Sequence, residues 1–171
     1  MMIDLTEHKL GETNQLIEVD LREDFQQLIL NMSQQAKHRI LIFSHDLDHD
    51  LFDTDELYEV IKNLAIRSHR THIHIIVQNA RPMTKKGHRL LQLTRRITSH
   101  MQIKVTAKEH NDEIETFMIF DDRGYIIHKN PERFDAYGNF SDPLKARQLS
   151  EEFDELWGRG VIDSSLRRLS L

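Results

Sequence analysis

His45, Asp46, Asp48, His49 and Asp50 put five side chains that can hold a metal or move a proton into six consecutive positions. Imidazole nitrogen with carboxylate oxygen is a donor set for Zn, Mn or non-haem iron. His45, Asp46, Asp48 and His49 are therefore the candidate ligands of a divalent metal, and the centre of a metal-dependent hydrolase if the chain is one. Consecutive residues of one loop rarely all turn towards one ion. The preferred reading is structural: Asp46, Asp48 and Asp50 gather ahead of a helix N-terminus, where each negative charge is favoured by roughly 0.3–1 kcal/mol. On that reading no cofactor is expected, and a divalent metal is the alternative.

A second set of candidate ligand-binding residues is basic: Arg81, Lys85, Lys86, His88 and Arg89, with Gly87 close to a helix start. Backbone N–H groups there, together with Lys or Arg, can hold a phosphate. The glycine pattern of a phosphate loop is missing, and ion pairing with the acidic loop is the favoured account. His72 and His74 share one face of a strand and could share a metal, but they read better as polar residues of an edge strand. Trp157 and Phe153 fall at helical spacing and read as core. The chain has no Gly-x-Ser-x-Gly turn, His-Glu-x-x-His helix or dinucleotide fingerprint. Ser44 and His45 are neighbours on an extended chain, point opposite ways, and are not a dyad.

These side chains need elements to position them. Apolar periodicity predicts an edge strand around Leu16, Ile17 and Val19, then a helix over 20–37 opened by a capping box of Asp20 and Glu23. A β-branched strand over 39–44 empties into the acidic loop. A second capping box, Asp53 with Glu56, starts a helix ending near Ser68. The run 71–78 is a strand placed at a sheet edge or a subunit contact, 79–87 a basic loop, 88–99 a helix and 101–106 a third strand. Strand, helix, strand, helix, strand favours parallel pairing through right-handed crossovers, and puts the acidic and basic loops side by side at the carboxyl edge of the sheet. The runs 115–120 and 124–129 read as a hairpin with Gly124 available for a positive φ. A polar connection over 130–141 leads to a helix capped by Asp142 and Pro143 and stopped by Gly158 and Gly160. The tail from Val161 packs or hangs free.

Composition sets the outer limits. At 171 residues, 39% hydrophobic and 30% charged, the chain fits one folded domain: a lead-in over 1–19, a core over 20–158 and a tail over 159–171. It contains no cysteine, which excludes thiol catalysis, disulfides and cysteine zinc sites. No apolar run reaches the roughly 18 residues of a membrane span and the N-terminus lacks signal-peptide character, so a cytoplasmic location is expected. A net charge of −5 argues against a general nucleic-acid binder, because phosphate contacts need an excess of Lys and Arg on one face.

Parallel strands, then the hairpin with FMIFDD, then a helix with Phe153 and Trp157 four apart: this order resembles one half of the phospholipase D-like fold over about residues 39–157. The fold class is α/β, a mixed sheet with a parallel core and a hairpin, flanked by helices. The resemblance implies a His-x-Lys-x4-Asp motif on FMIFDD, closed by Asp121 or Asp122. Ile114 or Glu115 stands where the nucleophilic His belongs, and Thr116 or Phe117 where the Lys belongs. None of the eleven His precedes a Lys by two residues, so covalent attack and charge neutralisation in that family's form are unavailable. The chain is also similar, through SHDLD and GHRLL, to small uncharacterised bacterial proteins sharing this degenerate fold. The expectation is a pseudoenzyme, a non-catalytic interaction or ligand-binding domain. Because enzymes of this fold need two halves and the chain has one, a homodimer is expected, paired through His72–Val77.

Overall fold

Along β2 (Arg39–Ser44), Ile40 and Ile42 face one way, Leu41 and Phe43 the other, and all four are buried. A strand apolar on both faces must lie between two layers, and this one does. The computed structural model describes residues 3–107 and 115–167, arranged around a seven-stranded mixed sheet. From one edge to the other the strands are β1 (Leu16–Val19), β7 (Ala136–Asn139), β6 (Gly124–His128), β5 (Thr116–Phe120), β2, β3 (His72–Val77) and β4 (Met101–Val105). β2, β3 and β4 run parallel, while β5 joins β2 antiparallel and continues into the antiparallel strands β6, β7 and β1.

One face is covered by α1 (Arg22–Gln35), α3 (Asp55–Arg67) and α5 (Arg89–Arg96), through Phe25, Leu28, Ile61, Leu64, Leu90 and Leu93. The other is covered by α6 (Pro143–Arg159), through Ala146, Leu149, Phe153 and Leu156. Two crossover helices on one face are what successive right-handed β-α-β units require. Asp142 caps α6, accepting from the Lys145 N–H at 3.2 Å, with Pro143 in the first turn. The tail packs: Val161 exchanges two 2.8 Å backbone hydrogen bonds with Val105, and Leu166 of α7 (Ser164–Arg167) is buried. No described helix is long and apolar enough to cross a membrane.

Several expectations need correction. β3 is not an edge strand, since β4 pairs along its outer side and Ile73, Ile75, Ile76 and Val77 are fully buried. His72 is exposed, and His74 is partly buried against Trp157 of α6. Neither capping box forms. The residue at the start of α1 is Leu21, without a side-chain cap, and α3 is capped by Thr54, whose Oγ1 accepts from the Leu57 N–H at 3.2 Å. The basic stretch holds a helix, α4 (Arg81–Lys86).

The hairpin turn takes its positive φ at Asp121 (56°) and Asp122 (54°), not at Gly124. Gly124 is required for close approach instead, since a Cβ there would lie 2.7 Å from Leu10 and 3.0 Å from the Asn139 carbonyl. The connection over 130–141 conceals β7, whose sequence AYGN has the composition of a turn and becomes a strand because β6 and β1 pair with both its sides.

Candidate functional site

The register Ser44↔Val77 ends β2 and β3 together, so the segments leaving them meet. The N–H groups of Gln78 and Asn79 both donate to the His45 carbonyl, at 3.0 and 2.8 Å. The acidic loop then doubles back at Leu47, which is buried with φ 56°. Its N–H donates to Ser44 Oγ at 3.0 Å, which occupies the strand-end serine. Asp48 accepts from the Asp50 N–H at 2.8 Å and so caps α2 (His49–Phe52). Burial raises the Asp48 carboxyl, an effect that the Asp50 N–H only partly offsets.

The basic stretch docks onto this loop through histidine. His88 Nδ1 accepts from the Leu90 N–H at 3.1 Å, capping α5, so Nε2 carries the proton and donates to the Leu47 carbonyl at 3.0 Å. That ring is 2% exposed, and burial lowers it to about 4. His49 Nε2 donates to the Gly87 carbonyl at 2.8 Å, and its ring lies 4.9 Å from that of His88. His45 Nδ1 pairs with Gln78 Oε1 at 3.1 Å. Arg89 bridges Asp53 at 3.2 Å and Asp55 at 2.9 Å. Burial alone would raise the Asp53 carboxyl, but the Arg89 N–H, the neighbouring His88 and the guanidinium outweigh it and lower it.

The acidic and basic segments therefore lie side by side, locked by hydrogen bonds and ion pairs. His45, His49, His88 and Arg89 meet protein partners, whereas Arg81, Lys85 and Lys86 stand exposed on α4. Among the described residues no group of three or more His, Asp or Glu could hold a metal ion.

The same edge carries the start of β5. Pairing of Phe43 with Phe117 sets Thr116 beside Ser44, and the hairpin register sets it opposite His128. Ile114 lies outside the described residues; Thr116 and Phe117 are 3% and 4% exposed. Phe25, Phe43, Phe52, Ser44, Thr116 and His128 surround about 10 Å³ of free space, about one water. His128 packs edge-on to Phe25 at 4.9 Å and its Nε2 meets the Arg133 carbonyl. His128 was missed, although a hairpin turning at 121–123 already places it opposite Thr116.

Five residues of strand separate Thr116 from Asp121, about 16 Å, so the closing acid belongs to the opposite edge. There Asp121 accepts from the N–H groups of Lys37, His38 and Arg39 at 2.7, 2.8 and 2.9 Å. Asp122 accepts from Arg39 at 2.8 Å and from the Ser150 hydroxyl at 2.6 Å. Burial would raise Asp122, but Arg39 and Ser150 together lower it. Both acids fasten the turn.

This mixed sheet between unequal helical layers is a phospholipase D-like fold. It superposes on Nuc, a phospholipase D family member from Salmonella typhimurium, with a TM-score of 0.59, 12% identity, and coverage of 85% of this chain and 94% of that one. NucT from Helicobacter pylori gives 0.57 and 13%, covering 86% and 98%. TrmBL2, an archaeal chromatin protein with a novel mode of DNA binding, gives 0.65 and 12%, covering 92% of this chain; the chain spans 56% of the length of TrmBL2. No curated protein matches in sequence. Residues 21–169 match the family model described as Domain of unknown function (DUF7931), and the chain belongs to that family.

Proposed function

We propose that this chain is a non-catalytic phospholipase D-like domain that binds a ligand or partner and acts as a homodimer. The observation that carries the reading is the start of β5. Thr116 and Phe117 occupy the two alternative positions of the phosphate-binding lysine, both buried, and Phe25, Phe43 and Phe52 fill the space before them. Neither a hydroxyl nor a phenyl ring neutralises a phosphate, and a gap the size of a water admits no diester.

The dimer rests on the fold's need for two halves, and its contact falls on the outer strands β1 or β4 rather than β3. Bis-p-nitrophenyl phosphate hydrolysis by the untagged protein is the test. No turnover above buffer is expected; turnover that copurifies with the chain and disappears in His128→Ala or His45→Ala overturns the proposal. Light scattering tests the dimer, which a 20.3 kDa species at high concentration would rule out.

A further inference from the structure

The two outer strands of the sheet end differently. On the β4 side, the Ile73 N–H donates to the His100 carbonyl at 2.9 Å and the Thr106 N–H to the Val77 carbonyl at 3.0 Å. Even-numbered residues of β4 therefore turn their backbone groups to β3, and odd-numbered ones turn theirs outward. Most of the outward groups are already used. The Met101 N–H donates to the Ile97 carbonyl at 3.2 Å, and Val105 exchanges both its bonds with Val161. Self-pairing of β4 through Ile103 would set Met101 of a second copy opposite Val105, the place that Val161 holds.

β1 has no such cover. The Lys129 N–H donates to the Asp135 carbonyl at 3.3 Å, so the hydrogen-bonded pairs of β6 and β7 are Ile127 with Tyr137 and Tyr125 with Asn139. Ala136 and Gly138 are left to bond β1, where they lie opposite Val19 and Ile17. The N–H and C=O groups of Leu16 and Glu18 consequently point away from the sheet, and among the described residues no backbone group meets them. Leu16 is 55% exposed. The strand, LIEV, carries neither Lys nor Pro, which commonly guard an outer strand.

We propose that β1 pairs antiparallel with β1 of a second copy about a two-fold axis at Ile17, joining the two sheets into one. The inference rests on the dimer of the proposed function and adds the edge and the register. Outward groups must face outward groups, so Leu16 and Glu18 can pair only with even-numbered residues. Leu16 opposite Glu18 of the second copy is the register that satisfies both residues within β1, each such pair exchanging two N–H···O bonds. Shifting one way sets Glu18 directly against itself, and like charges directly opposite are destabilising. Shifting the other way leaves Glu18 to Asn14, outside the strand. The chosen register moves the Glu18 carboxylates to a diagonal, about 7–8 Å apart at the backbone, and brings the Leu16 side chains towards each other on the same face. The two Ile17 residues face across the axis as a non-hydrogen-bonded pair, their Cα atoms about 4.5 Å apart. A strand of this length makes a contact at the low end of specific interfaces, so the dimer should dissociate on dilution.

The chain has no cysteine, so an introduced one reports the contact without background. Full-length Ile17→Cys, oxidised with diamide, should run on non-reducing electrophoresis at twice 20.3 kDa and return to 20.3 kDa with dithiothreitol. Gln102→Cys, exposed on β4, should stay uncrosslinked. In light scattering, Leu16→Glu sets a carboxylate opposite Glu18 at two equivalent pairs and should raise the concentration needed for dimerisation at least about tenfold. Leu16→Glu/Glu18→Lys sets opposite charges face to face and should recover the dimer. Circular dichroism confirms that each variant is folded. A dimeric parent with no crosslink in Ile17→Cys, or with Leu16→Glu as dimeric as the parent, overturns this inference and leaves the proposed function standing. Crosslinking of Gln102→Cys overturns it in favour of β4. A parent that stays at 20.3 kDa at high concentration overturns the dimer itself.

Discussion

His74 lies flat against Trp157, the ring centroids 4.2 Å apart and the planes 1° from parallel. Lys104 approaches the same indole, its Nζ 4.3 Å from the ring centroid and donating to the Trp157 carbonyl at 3.0 Å. Two strands thereby hold the last turn of α6. Trp157 is a half-buried brace at the margin of the second core cluster rather than a core residue, and it is the only tryptophan in the chain. Its fluorescence therefore reports on this contact.

The first prediction concerns acid. Burial holds His74 at about 4, with the charges of His72, Arg39 and Lys104 acting in the same direction, and burial holds His88 at about 4 despite Asp53. Both values lie below the roughly 6.5 of an unfolded chain, so between them the unfolded state binds more protons. Stability is then complete above about pH 6.5 and falls as pH drops towards 4, with His88 alone contributing on the order of 2–3 kcal/mol. The urea midpoint followed by Trp157 emission should fall between about pH 7 and pH 5, and less so in His74→Phe, which keeps a ring and removes the titration. A midpoint flat across that interval would refute the assignment.

The second prediction concerns His88, which caps α5 and ties it to the acidic loop. His88→Ala removes a cap and leaves the Leu47 carbonyl without its donor, which should destabilise the chain by about 2–3 kcal/mol. The neighbouring exposed change Lys86→Ala should shift the denaturation midpoint by no more than about 0.5 kcal/mol. Equal effects would mean that the capping geometry carries little.

A third prediction separates the two turn acids. Asp121 receives three backbone N–H groups and Asp122 a guanidinium and a hydroxyl, in a half-exposed setting. Both substitutions place alanine at a positive φ, and Asp121→Ala should cost about 2 kcal/mol or more because it also orphans three backbone donors. Asp122→Ala should cost less, because the Arg39 guanidinium stays within reach of solvent. Thermal denaturation of the two variants decides, and the reverse order would contradict this account of the turn.

Much of this fold was legible because its strands and helices carry their own periodicity. Ile40 to Phe43 announce a two-sided strand, Phe25, Leu28 and Met32 a helix, and Asp142–Pro143 its cousin near the C-terminus. What stayed hidden depends on distant partners. AYGN is a strand only because Tyr125–His128 and Leu16–Val19 flank it. β3 looked like an edge because His72 and His74 alternate with isoleucine, but β4 pairs along its outer side and Trp157 of α6 stacks on His74. Asp53 and Glu56 satisfied the capping pattern, yet Thr54 won the cap and left Asp53 to Arg89, a competition between adjacent residues that spacing cannot decide. The adjacency of the acidic and basic segments followed from strand order. The interlocked hydrogen bonds of His45, His49 and His88 did not, since they depend on the backward turn at Leu47.

The exchange of hydrogen bonds between Val161 and Val105 has a consequence for solubility. β4 is an outer strand, and an outer strand with free N–H and C=O groups is a template onto which other chains can pair. Val161 occupies that template at the carboxyl end of β4, so the last stretch of the chain serves as a stopper against runaway strand addition. A chain ending at Gly160 would keep the whole sheet but uncover this stretch of edge, and it should scatter more light as its concentration rises than the 171-residue chain does.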